Sequence, residues 1–216
     1  MAAQKYIPAL KYHWLTKLYD PILDLTMPER KIKSYLIDEA DFKPEQRVLD
    51  FGCGSLTLSI LAKKNNPTTE FIGVDVDEKI LHIAREKGRQ EGVNVPVIRY
   101  DGNILPFKDS SFDHVMSSLV FHHLTTEQKA SALAEIKRVL KPSGQLHIAD
   151  FGSPANIFQR VGFYLIQFLD GFKTTTGSVE GVLPDLIFRA GFFCKEIKLF
   201  KTAFGTVRLT KSFITN

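Results

Sequence analysis

Two glycines one residue apart, Gly52 and Gly54, separate an apolar run, Arg47–Phe51, from a stretch of helical spacing that begins at Thr57. Small residues in a strand-to-helix turn let the backbone approach a ligand closely, and the start of the helix offers N–H groups that have no partner of their own. Asp75 ends a second apolar run, Glu70–Asp75, at a place where a carboxylate can accept both hydroxyls of a ribose. The combination suits a nucleoside-bearing ligand held at the ends of neighbouring strands. A plainer reading stands beside it, because glycine also serves tight turns for steric reasons and Asp75 could cap the helix that follows it. The spacing then narrows the chemistry. A dinucleotide fingerprint, G-x-G-x-x-G, would place its third small residue at 57, and that residue is Thr57, so a nicotinamide-dependent oxidoreductase is disfavoured.

A second group of reactive side chains follows the fourth apolar run, in Ser117-Ser118-Leu119-Val120-Phe121-His122-His123-Leu124. In open α/β sheets, ligands lie beyond the carboxyl ends of the strands, so this segment should border a substrate. His122 and His123 are candidates for a general base because imidazole titrates near neutrality; structural support of a helix start is the alternative. Cys53, inside the glycine turn, reads as a small buried filler, and Cys194, next to Phe192 and Phe193, reads as core. Two separated cysteines and scattered histidines have no metal-ligand spacing, so no metal is expected.

The elements that must position these residues alternate from about residue 47 onward, which is the pattern of a parallel sheet covered by helices. Strands are predicted at Arg47–Phe51, Glu70–Asp75, Pro96–Asp101, Phe112–Ser117 and Gln145–Phe151, with helices over 57–65, 78–90 and 127–140 between them. Lys141-Pro142-Ser143-Gly144 reads as the breaker that ends the last of these helices. Two further strands, 194–200 and 206–213, join through Gly205, and helices over 10–18, 22–26 and 30–37 precede the sheet. The chain has 216 residues, 44% hydrophobic and 24% charged, which fits one globular domain and excludes a disordered or polytopic membrane protein. Two cysteines make no disulfide framework, residues 1–12 have no apolar core of a secretory signal, and 161–169 is too short to span a bilayer, so a cytoplasmic location is expected. A net charge of +4, from 28 basic and 24 acidic residues, is too even to demand a nucleic-acid partner.

VLDFGCGSLTLS (48–59), GVDVDEKILHIAREK (73–87), DGNILPFKDSSFDHV (101–115) and EIKRVLKPSGQLHIAD (135–150) resemble, in order and spacing, four motifs of the class I S-adenosylmethionine-dependent methyltransferases, with a flavour of the ubiquinone/menaquinone-biosynthesis neighbourhood. The resemblance implies a Rossmann-like α/β fold: a seven-stranded, mostly parallel sheet in the order 3-2-1-4-5-7-6, with helices on both faces and an N-terminal helical cap. It divides a single domain into the cap (1–40), a cofactor-binding core (41–152), a substrate-side helical insert (153–190) and a terminal strand pair (191–216). It implies that Asp50, Gly52, Cys53 and Gly54 line the methionine end of S-adenosyl-L-methionine, that Asp75 with Val76 holds the ribose, and that Asp101, Gly102 and Asn103 meet the adenine, with Ser118 also beside the cofactor. S-adenosyl-L-homocysteine would be the product. Tyr19, in the cap, would form a lid that pairs with His123. One departure stands out: the family usually has a third glycine where this chain has Leu56. Its branched side chain must either obstruct the cofactor path or turn inward against the sheet.

The substrate is approached by absence. The Asn/Asp-Pro-Pro-aromatic motif of amino-methylating nucleic-acid enzymes and the Pro-Cys of cytosine enzymes are both missing. The apolar stretch IFQRVGFYLIQFLDGF (157–172) suits a pocket for a lipophilic small molecule or contact with a membrane surface; a helix packed on the sheet edge is its plainer reading. The expectation is therefore a methyltransferase for a small molecule. A non-catalytic binder of the same cofactor is the alternative, and an RNA or protein methyltransferase ranks behind it.

Overall fold

A computed structural model describes residues 28–152, 182–202 and 205–215. Helix α1 (Glu29–Ala40) precedes β1 (Arg47–Phe51), α2 (Thr57–Asn65), β2 (Glu70–Asp75), α3 (Glu78–Gln90) and β3 (Val97–Arg99). Then come β4 (Phe112–Ser118), a 3₁₀ turn (Phe121–His123), α4 (Thr126–Val139), β5 (Leu140–Gly152), α5 (Leu183–Arg189), β6 (Phe192–Thr202) and β7 (Gly205–Ile214). The seven strands form one sheet in the order β3-β2-β1-β4-β5-β7-β6. The first five run parallel, and β7 is antiparallel to both of its neighbours. The reversal follows from connection length, since β6 and β7 are separated by only two residues, enough for a hairpin and too few for a crossover.

The strands carry near-continuous apolar runs because both faces of the sheet are covered. On one face Ile32, Leu36 and Ala40 of α1, Leu58 and Ala62 of α2, and Leu81 and Ala84 of α3 pack against Val48, Phe71, Ala149 and Leu209. On the other, Leu133, Ile136 and Val139 of α4 and Ile187 of α5 pack against Leu49, Phe51, Val115 and Ile148. Capping fixes the start of α4: Thr125 and Gln128 form a reciprocal capping box. The predicted elements agree with these bounds to within a few residues, with two differences. The third strand is shorter than 96–101. Strand β5 begins at Leu140, directly after α4, where the sequence suggested a breaker. The breaker survives as a register shift, since Phe112 pairs with Leu140 but His114 pairs with Gln145, so residues 141–144 bulge out of the ladder. The expected helices before residue 28, Tyr19 and the stretch 157–172 lie outside the described residues.

Candidate functional site

Asp50, at the end of β1, is buried and accepts a hydrogen bond from Ser59 Oγ at 2.7 Å. Burial pushes its carboxyl up to about 6, against the opposing pull of Ser59 and Lys33. The chain then turns through Gly52, Gly54 and Leu56, all at positive φ, of +70°, +51° and +67°. The two glycines do different things. A Cβ on Gly52 would sit 2.5 Å from a methyl of Val120, so that glycine is required by packing against the segment after β4. A Cβ on Gly54 would meet nothing within 4 Å, so its face of the turn is open. Asp75, at the end of β2, locks onto the turn: its Oδ2 accepts from the Gly54 N–H at 3.0 Å, and its Oδ1 accepts from Asp77 N–H at 3.1 Å. Each carboxylate oxygen accepts more than one hydrogen bond, so the pairing leaves capacity for two hydroxyls.

Leu56 resolves the departure noted in the sequence. Its backbone keeps the left-handed conformation a glycine would adopt, while its side chain is buried, 1% exposed, in the core beneath the turn. Two other glycines make room for it. A Cβ on Gly73 of β2 would lie 3.1 Å from one Leu56 methyl, and a Cβ on Gly88 of α3 would lie 3.7 Å from the other. Leucine thus turns inward. Cys53 is packed against Gly73 on the same side, and burial pushes its thiol well above the ordinary range, as expected of a buried filler.

Beyond β3, Asp101 Oδ1 accepts from the N–H groups of Asn103 and Ile104, at 2.9 and 3.1 Å, and these bonds hold its carboxyl below the ordinary value. Gly102 takes φ +86° with the Val76 side chain beside it. Ser118 ends β4 with its hydroxyl buried and without a hydrogen-bond partner among the described residues. The structure therefore brings Asp50, Gly54, Asp75, Val76 and the 101–103 loop to the carboxyl ends of β1, β2 and β3. An adenosine-type ligand fits the residues present, which offer an open glycine face, a carboxylate anchored beside it and a second acid on an exposed loop.

At the ends of β4 and β5 the centre is Asp150, which the sequence reading did not single out. Its Oδ2 accepts from Val120 and Phe121 N–H at 3.0 and 2.6 Å; its Oδ1 meets His122 Nδ1 at 2.8 Å and Phe151 N–H at 2.7 Å. Burial alone would raise its pKa, but the neighbouring His122 and these donors outweigh burial and leave the carboxyl below its ordinary value. The His123 ring lies on that of His122, with centroids 3.9 Å apart, and burial pushes its pKa down to about 3. His123 is therefore neutral near pH 7 but weakly basic, which argues against a strong general base at that position. The one available signal for Asp150 was its place, an acid ending an apolar strand as Asp50 and Asp75 do. Among the described residues no group of His, Cys, Asp or Glu could hold a metal ion.

This sheet order, with an acid ending β1 and another ending β2 around a glycine turn, defines the class I S-adenosylmethionine-dependent methyltransferase fold. Comparison with known proteins agrees. Residues 48–144 match the family described as a methyltransferase domain. The ubiquinone/menaquinone biosynthesis C-methyltransferase UbiE of Cupriavidus metallidurans is 34% identical over 143 residues, covering 65% of this chain and 58% of that protein. A S-adenosylmethionine-dependent methyltransferase from Aquifex aeolicus superposes with a TM-score of 0.67 at 23% identity, over 97% of this chain and all of that one. The [4+2]-cyclase SpnF superposes with a TM-score of 0.65 at 16% identity, over 86% of this chain and 81% of the cyclase. Residues 48–144 are thus similar to a methyltransferase domain on the fold of these enzymes, and the match spans somewhat over half the length of the curated relatives.

Proposed function

We propose that the protein transfers a methyl group from S-adenosyl-L-methionine to a small, lipophilic acceptor of the kind handled in quinone biosynthesis. The observation that carries this reading is the pairing of Asp75 with the open face of Gly54, a ribose acceptor held against a turn that has space for a ligand. The UbiE relatives support the acceptor class. The SpnF likeness is a reminder that the fold by itself does not choose the reaction.

When bound, the cofactor supplies an activated methyl on a positively charged sulfur. Alignment of the acceptor with that group is the chain's main task, and orientation supplies about 7–11 kcal/mol in favourable cases. Asp50 would hold the positively charged amino group of the methionine end, which would favour its ionised form against the pull of burial. Asp75 would take the ribose hydroxyls and Asp101 the adenine amine. His122, held through Nδ1 by Asp150, and the more exposed His123 that lies against it would border the acceptor. Tyr19, which the sequence suggests as a lid, completes the proposed site.

The test is calorimetric titration with S-adenosyl-L-homocysteine, where micromolar binding is expected. Loss of two charge-assisted hydrogen bonds predicts that Asp75→Ala weakens it by about 100-fold. Absence of binding to folded, ligand-free wild-type protein would overturn the reading.

A further inference from the structure

The glycine turn is gripped by the strands that flank it, but the loop from Asp101 to Ser110 lies beyond the end of β3 and before the start of β4. What holds its middle comes from α4, one layer away. Glu135 Oε2 accepts from the Leu105 N–H at 2.8 Å. Arg138 Nη2 donates to the Leu105 carbonyl at 3.0 Å, and its Nη1 donates to the Phe107 carbonyl and to Asp109, each at 2.8 Å. The two side chains also bond each other, at 2.9 and 2.7 Å. Both backbone groups of Leu105 are thus bonded by one side-chain pair, and its carbonyl accepts also from the Phe107 N–H within the loop, at 2.8 Å. Leu105 itself is buried in the core. Four residues upstream, the carboxylate of Asp101 closes on Asn103 and Ile104 N–H.

We infer that Glu135 and Arg138 are the positioning residues for adenine recognition: they fix the 101–105 loop so that Asp101 meets the base amine in one place. This inference rests on the cofactor reading above. An exposed ion pair contributes little by itself. This pair differs because its bonds run to backbone groups of a loop that no strand supports. The guanidinium fork bonds two carbonyls and two carboxylates at once, which a lysine cannot reproduce.

The test compares S-adenosyl-L-homocysteine with S-inosyl-L-homocysteine, which carries an oxygen in place of the adenine amine, on wild-type protein, Glu135→Ala and the milder Arg138→Lys. Wild type should prefer the adenosine form by about tenfold or more, the worth of one charge-assisted hydrogen bond. In both variants that preference should collapse, through weaker binding of the adenosine form with the inosine form little changed. In wild type, hydrogen exchange at the Leu105 amide should be slow, and in Glu135→Ala it should speed by at least about tenfold while the α4 amides stay protected. A purely structural pair would lower the melting temperature and leave the base preference intact; that result overturns the inference and spares the cofactor reading. Wild type that binds neither compound overturns both.

Discussion

Two groups of side chains lie at the carboxyl ends of the central strands, and they are built differently. At β1 and β2 the site is mainly backbone: Gly52, Gly54 and Leu56 set a turn at positive φ, Asp75 closes on it from the end of β2, and Asp50 at the end of β1 bonds Ser59 of the helix that follows. At β4 and β5 it is a side-chain network: one buried carboxylate, Asp150, gathers two backbone N–H groups and an imidazole from a segment about thirty residues away, together with the N–H of its neighbour Phe151. The first group is specified by neighbours in sequence and in the sheet. The second exists only because β4 and β5 pair side by side. The lesson is that the glycine-turn group is set by local turn geometry, whereas the Asp150 group depends on longer-range contacts.

The largest effect should come from breaking the second group. Asp150→Ala leaves the N–H groups of Val120, Phe121 and Phe151 buried without their acceptor, and a loss of about 3–5 kcal/mol in urea unfolding is expected. A loss below about 1 kcal/mol would show that water or neighbouring groups replace the carboxylate.

Asp50 tests the first group by pH. Its folded pKa of about 6 lies above the ordinary 3.8, so the unliganded folded state binds a proton that the unfolded chain releases. The sign follows: this group's contribution falls as pH rises from about 4 through 6, and it stays lost above that. A shift of about two units corresponds to about 3 kcal/mol. Asp50→Asn should therefore exceed the unliganded wild type by up to that amount at pH 8 and differ little near pH 4, while binding S-adenosyl-L-homocysteine more weakly. Equal stability of the two at both pH values would mean that Asp50 is better solvated than its burial implies.

The smallest of the three effects concerns Leu56, where Leu56→Gly relieves about 1 kcal/mol of left-handed strain but empties a buried leucine site worth about 2–5 kcal/mol. A net loss of about 2 kcal/mol is expected, with cofactor affinity unchanged because the side chain faces the core. Tighter binding by the variant would show that the leucine does restrict the cofactor path.

Much of this was legible beforehand. The glycine turn and the carboxylate at 75 could be read because they rest on periodicity, turn chemistry and spacing, all local properties, whereas the strand order was available only through the resemblance to a known family. Other features could not. Gly73 and Gly88 were not singled out, and only packing shows that they create the space Leu56 fills. Glu135 and Arg138 were not singled out, and only the fold lays a strandless loop across them. Lys141 to Gly144 read as a helix stop, and the sheet drew them into a bulged strand because Phe112 and Leu140 pair before the register shifts.

The amino-acid sequence by itself determined the alternation of strands and helices and the two acids that flank the glycine turn, because hydrophobic period and backbone propensity act within a few residues. Tertiary structure alone decided that Leu56 points inward, that Asp150 orients His122, and that α4 holds the 101–105 loop. Those outcomes depend on which distant surfaces meet, and buried polar groups must take whichever partners the packing brings within hydrogen-bond distance.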